Sequence, residues 1–209
     1  MLVLAAAVVQ DRIGLAVAIR VLLDRALAGR EDLQVGAGRH VGIAATEGLG
    51  RIGEAVVRRA SGFAMAVRYH NRKPLADCPH AYEANLIELA RWADFLVLTC
   101  PGGASTQQLI GREVLEALGP DGILINVARG SVVDEPALIA ALRSGALGAA
   151  GLDVYAAEPQ VPLALRELDN LVLLPHIGSG SEETRLQMEE LVLANLQAFI
   201  EHGELLTPL

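Results

Sequence analysis

Six residues, Gly48-Leu49-Gly50-Arg51-Ile52-Gly53, limit what this chain can fold into more than any other stretch. They fit the spacing G-x-G-x-x-G. An apolar run from His40 to Ala45 precedes them. A helical pattern from Ile52 to Ala60 follows, with Val56 and Val57 on its apolar side. Strand, glycine turn and helix in that order form the frame that a dinucleotide fingerprint requires. The glycines permit a tight turn and a close backbone approach to a pyrophosphate, and the N–H groups of the helix start attract its charge.

The rest of the chain repeats the alternation. The pattern predicts a first helix over residues 11–28, closed by Gly29, then a polar connector over 30–39 and a strand over 41–45. Further strands are predicted over residues 64–69, 94–99, 122–127, 148–154 and 170–174. Helices are predicted to run from the glycine loop to about 62, over 86–92, up to 118, over 134–144 with Gly145 as stop, and over 181–202. The last reads as amphipathic, with Ser181 as N-cap, Glu182 and Glu183 in its first turn and Gly203 past its end. The strands are continuous apolar runs, as expected where both faces are covered. The expected fold is α/β, a Rossmann-type doubly wound, mainly parallel sheet with helices on both faces. One dinucleotide-binding domain over residues 1–209 is expected, its core at 39–180, flanked by an N-terminal helix and connector at 1–38 and a C-terminal helix and tail at 181–209.

Composition excludes several classes. A net charge of -8 argues against a general nucleic-acid surface, which needs a basic stripe. The two cysteines, Cys78 and Cys100, form no C-x-x-C pair, so neither a disulfide framework nor a metal site is expected, and a reduced cytoplasmic setting fits. The apolar start, Leu2 to Val9, is too short to span a membrane and lacks the basic flank of a signal peptide.

In such sheets ligands bind outside the carboxyl ends of the strands. The predicted strand ends deliver the glycine loop; then Asn71, Arg72 and Lys73; then Pro101, Gly102, Gly103 and Thr106; then Arg129; then Asp153 and Glu158; and finally His176, Gly178 and Ser179. Alone, Arg129 reads rather as a solvated turn residue, Glu158 as a surface carboxylate and His176 as a loop histidine. All three on one rim beside a cofactor loop point to chemistry instead.

Four ordered motifs then carry a resemblance: Gly48–Gly53, Asn126-Val127-Ala128-Arg129-Gly130, Gly151-Leu152-Asp153-Val154-Tyr155-Ala156-Ala157-Glu158-Pro159 and Pro175-His176-Ile177-Gly178-Ser179. They resemble those of the D-isomer-specific 2-hydroxyacid dehydrogenases. The branch is similar to the glyoxylate/hydroxypyruvate-type reductases, through Tyr69-His70-Asn71-Arg72 and Pro101-Gly102-Gly103. The resemblance implies an NAD(P)H-dependent oxidoreductase that passes a hydride to a small 2-keto acid, giving a D-2-hydroxy acid. It implies that Arg129 grips the substrate carboxylate, a task suited to a planar guanidinium. His176 would be the general acid in reduction and Glu158 its orienting partner. It also implies cofactor contacts from Gly48, Gly50, Arg51, Ile52, Gly53, Asn71, Arg72, Lys73, Cys100, Pro101, Thr106, Val127, Ala128, Asp153 and Gly178. Arg72 follows Gly53 by 19 residues, where an NAD site usually places an acid for the ribose hydroxyl. Two cations and an amide there suit a 2′-phosphate, so NADP is expected to be preferred over NAD.

The chain departs from the family in two places. Ala44-Ala45-Thr46-Glu47 add about three residues before the first loop glycine, and Glu47 puts a negative charge near the pyrophosphate, so weaker cofactor binding is expected. The match also begins near the helix over 11–28, which leaves no residues for the family's separate substrate domain. A truncated nucleotide-binding module with weak or no catalysis is therefore the alternative to an enzyme. Against these four motifs, a short-chain-type dehydrogenase is disfavoured. The family dimerises through its nucleotide domain. With a mean hydropathy of +0.38, this chain should expose an apolar patch unless paired, so a homodimer is expected.

Overall fold

The computed structural model describes residues 39–44 and 49–208. The helix expected over 11–28, the extra residues at 45–47 and Gly48 lie outside the described residues.

Seven strands form one parallel sheet: β1 (His40–Ala44), β2 (Ala66–His70), β3 (Ala81–Tyr82), β4 (Phe95–Leu98), β5 (Ile123–Asn126), β6 (Ala149–Leu152) and β7 (Leu171–Leu173). Their order across the sheet is β3-β2-β1-β4-β5-β6-β7. The chain thus steps outward from β1 on one side, returns, and steps outward on the other. Right-handed crossovers running in opposite directions place their helices on opposite faces.

Burial follows that split. Val41, Ile43, Phe95, Val97, Ile123 and Ile125 point to one face, where α1 (Gly50–Gly62) contributes Val56, Val57 and Ala60. Leu96, Leu98, Leu124 and Leu152 point to the other, against α2 (Leu86–Trp92), α3 (Arg112–Leu118) and α4 (Glu135–Ser144). Successive strand residues are therefore apolar and buried on alternate faces, the two-sided burial that a central parallel strand requires. The doubly wound α/β fold expected from the sequence is the fold observed.

Local chemistry sets the helix ends. Asn85 accepts from the N–H groups of Ile87 and Glu88, Asp134 from that of Ala137, and Ser181 from that of Thr184. Gly145 and Gly203 both take φ +73 and close α4 and α6 (Glu182–His202).

The structure also differs from expectation. The second strand starts at Ala66 rather than 64, because Ala64 sits at φ +54 in the turn that closes α1. β3 and the four-residue α5 (Leu163–Arg166) carry no pattern of their own and were not anticipated. β2 and β7 are only partly buried, unlike the fully buried β4, β5 and β6. In α6 only Thr184 is buried, while Leu193, Phe199 and Ile200 are exposed, so its apolar residues surround the helix rather than line one stripe. Among the described residues no helix is long and apolar enough to cross a membrane.

Candidate active site

The carboxyl ends of β1 and β4 flank the point where strand order reverses, the place where open α/β sheets bind ligands. Gly50 opens α1 at φ +61, a conformation that favours glycine. Gly53 faces the sheet. A Cβ there would lie 3.3 Å from Thr99 Oγ1 and 3.4 Å from the Leu49 Cβ, so the glycine lets α1 pack close. The first turn of α1 has no capping side chain and no acidic residue. Thr99 Oγ1, at the end of β4, is buried and finds no hydrogen-bond partner. An uncapped helix start beside an orphaned hydroxyl fits the phosphate end of a dinucleotide. Arg51 is exposed and Ile52 half-buried on the same turn.

At the end of β2, Arg72 and Lys73 are exposed, whereas Asn71 is only 1% exposed and its carbonyl accepts from the Tyr82 hydroxyl at 3.0 Å. The cations thus stand on the surface and the amide faces inward. At the end of β4, Cys100 is buried, and burial pushes its thiol up to about 11. The Thr106 hydroxyl is spent within its own turn, donating to the carbonyl of Pro101 at 2.8 Å.

β5 leads into the turn that presents Arg129. The buried Asn126 shapes this turn: its Oδ1 accepts from Ala128 N–H at 3.0 Å, and its Nδ2 donates to the Arg129 carbonyl at 3.1 Å. Val127 and Ala128 are buried. A Cβ on Gly102 would lie 2.8 Å from Arg129 Cγ, so the glycine turn after β4 lies directly against the arginine stem. Arg129 Nη1 donates to the Ala128 carbonyl at 2.6 Å.

The segments after β6 and β7 bring a carboxylate and a histidine together. His176 Nδ1 lies 2.7 Å from Glu158 Oε2. A carboxylate can only accept, so Nδ1 carries the proton of this bond and Nε2 takes no part in it. Glu158 Oε1 accepts from Tyr155 N–H at 2.9 Å. Burial works to raise the Glu158 carboxyl. The bonds from His176 and Tyr155, with the charges of His176 and Arg129, outweigh it and hold the group below its ordinary value. Asp153 is buried and pushed up by that burial, against the bonds from Ile177 and Gly178. Arg129, Glu158, Tyr155 and the Gly102-Gly103 turn line one cleft of about 410 Å³.

Sequence reasoning missed the supports. Tyr155 donates its hydroxyl to the Leu174 carbonyl at 2.6 Å, two residues before His176. Glu135 accepts from Ala156 N–H at 2.7 Å and pins the segment that carries Glu158. Tyr155 lies inside the Gly151–Pro159 motif and Glu135 opens α4, but only the fold reveals their partners.

A parallel sheet with a glycine loop at its reversal point and an Arg, Glu and His set on its rim defines the nucleotide-binding half of a dehydrogenase. The chain belongs to the D-isomer specific 2-hydroxyacid dehydrogenase family: residues 28–178 match the model of that family's NAD binding domain. It is 49% identical over 171 residues to a hydroxyphenylpyruvate reductase of Plectranthus scutellarioides, covering 82% of this chain and 54% of that protein. It is 46% identical to a glyoxylate/hydroxypyruvate reductase A of Arabidopsis thaliana over the same shares. The crystal structure of the NADPH-dependent glyoxylate/hydroxypyruvate reductase of Sinorhizobium meliloti, in complex with NADP and malonate, superposes with a TM-score of 0.79 at 47% identity. That match covers 82% of this chain and 53% of the other. The chain therefore spans about half the length of the relatives it matches.

Proposed function

We propose that this chain is the cofactor-binding and proton-donating part of an NADPH-dependent reductase of small 2-keto acids of the glyoxylate/hydroxypyruvate type. The observation that carries the reading is the 2.7 Å bond between His176 and Glu158 at the same rim as Arg129. When bound, the nicotinamide supplies the hydride. Arg129 draws the substrate carboxylate into the cleft with a two-pronged ionic bond and polarises the adjacent carbonyl. Glu158 fixes the tautomer of His176, so that Nε2 delivers a proton to the developing alkoxide. Arg72 and Lys73 favour the 2′-phosphate of NADP over NAD. Gly50, Arg51, Ile52 and Gly53 would hold the pyrophosphate, with Gly48 completing the loop. Cys100, Pro101, Thr106, Val127, Ala128 and Gly178 would complete the cofactor contacts.

A second reading, a nucleotide-binding module with little turnover, is favoured by the openness of the site. The His176 and Glu158 side chains are 43% and 33% exposed, and a hydride site needs a second wall to exclude water. Homodimerisation through this domain is supported by the apolar residues that α6 leaves exposed, and cytoplasmic residence by the two free cysteines. Domain bounds of 39–180 for the core and 181–209 for the C-terminal helix fit the observed sheet and α6.

Titration of the purified protein with NADPH and NADH, followed by nicotinamide fluorescence, tests the cofactor reading. NADPH should bind at least about tenfold tighter, a gap that R72A/K73A closes. Tighter NADH binding overturns it. Glyoxylate-dependent NADPH oxidation, lost in H176A with cofactor affinity intact, supports the enzyme. Binding without turnover supports the module.

A further inference from the structure

Asp153 follows β6, and its N–H donates to the Asn126 carbonyl at the end of β5 at 3.0 Å. The sheet thereby fixes its position. Its side chain is buried and both oxygens are occupied. Oδ1 accepts from Ile177 N–H and Oδ2 from Gly178 N–H, each at 2.8 Å. These are the first two amides after His176.

His176 itself sits at φ +56. A residue with a Cβ enters that left-handed region at a cost, and stays there only where its surroundings impose it. Two charge-assisted bonds to the amides that follow are such an imposition. Before His176, the Tyr155 hydroxyl grips the Leu174 carbonyl at 2.6 Å. The chain is therefore anchored on both sides of the histidine by residues of one segment, the same segment that ends in Glu158.

We propose that Asp153 is a positioning residue: through the backbone amides of Ile177 and Gly178 it holds His176 in register with Glu158. The proposal rests on the reading of His176 as the proton donor. It departs from the family resemblance, which places Asp153 among the cofactor contacts. Burial raises the Asp153 carboxyl, so keeping a carboxylate there is unfavourable unless its bonds to the histidine loop compensate.

Two substitutions test it. D153N keeps the size of the side chain but turns one acceptor into a donor that faces an N–H. D153E keeps the charge but pushes the two amides outward. The first readout is the downfield proton of the His176 Nδ1–H···Glu158 bond by NMR, identified by its loss in H176Q. It should vanish or move upfield in both variants. With glyoxylate, kcat should fall about 10- to 100-fold, as misplacement of a reacting group by an ångström does. NADPH affinity should stay within about threefold. An unchanged resonance in both variants overturns the proposal. So does an intact resonance with NADPH affinity lowered about tenfold or more, which would make Asp153 a cofactor contact. If neither variant folds, amide exchange in the unsubstituted protein decides: Ile177 and Gly178 should exchange slowly, and rapid exchange of both overturns the clamp. A parent protein that shows the resonance, and loses it in D153N, yet reduces no keto acid overturns the reductase reading and leaves the positioning role standing.

Discussion

Gly130 is the tightest point of the site, and replacing it with alanine gives the sharpest test of the geometry. It follows Arg129 and opens the turn after β5. A Cβ built on it would lie 1.8 Å from the carbonyl carbon of Tyr155, 2.0 Å from its oxygen and 2.3 Å from the nitrogen of Ala156. All three atoms are backbone, so no rotamer change relieves the clash. Restoring ordinary contact near 3.5–4 Å requires one segment to retreat by roughly 1.5–2 Å. That retreat strains the Ala156 N–H bond to Glu135 at 2.7 Å and the Tyr155 N–H bond to Glu158 at 2.9 Å. Overpacking against yielding side chains costs about 1–3 kcal/mol. The upper end applies here, and a lost hydrogen bond adds about 1 kcal/mol. G130A should therefore cost about 3–4 kcal/mol, a fall in Tm of about 6–15 °C for a chain of this length. Gly62 is the control. It closes α1, its Cβ would meet nothing within 4 Å, and G62A should leave Tm unchanged or raise it slightly. Differential scanning calorimetry on both variants decides. If G130A melts within about 2 °C of the parent, the close approach of the Arg129 and Glu158 segments is wrong.

Tyr155→Phe removes the hydroxyl bond to Leu174 and leaves its carbonyl without that donor, so urea unfolding should show a loss of about 1–2 kcal/mol; no loss would mean that the bond does not form. The Glu158 carboxyl is held below its ordinary value of 4.5. Its contribution to stability is therefore complete above that value and disappears as pH falls through the lower folded value. The stability gap between the parent and E158Q should shrink on acidification below about pH 4.5, and a gap that widens there contradicts the assigned direction. Burial raises the Cys100 thiol to about 11, while Cys78 is half-buried. Titration with a thiol reagent at neutral pH should modify Cys78 first, and equal rates would refute the burial of Cys100.

How much of the fold the sequence carried depended on the range over which each signal acts. Residues 86–92 were expected as a helix and form one with those bounds, because a seven-residue apolar pattern is local. β4 and β5 were expected one residue longer at each end; pairing stops where the neighbouring strand stops, and that limit is tertiary. β3 exists only because Ala81 and Tyr82 pair with Arg68 and Tyr69, and two residues hold no periodicity to read. At the end of α1 the local cue was Gly62, yet the left-handed turn falls at Ala64, where Met65 N–H reaches back to the Ala60 carbonyl.

The site divides along the same line. Arg129, Glu158 and His176 could be singled out in advance as candidates because a parallel sheet sends every strand end to one rim, and the motifs that hold them resemble one family. Their supports could not. Asp153 reaches Ile177 and Gly178 across 24 and 25 residues, and Glu135 reaches Ala156 across 21. Nothing in the sequence distinguishes a carboxylate that grips a backbone amide from one that greets solvent or a ligand. The exposed pair His176–Glu158 is thus positioned by buried or distant groups that show no periodicity. That explains why catalytic residue types can persist in a chain while their geometry is lost: a change at Asp153, Gly130 or Glu135 would leave every recognisable motif residue of the acid–base pair in place and move it out of register.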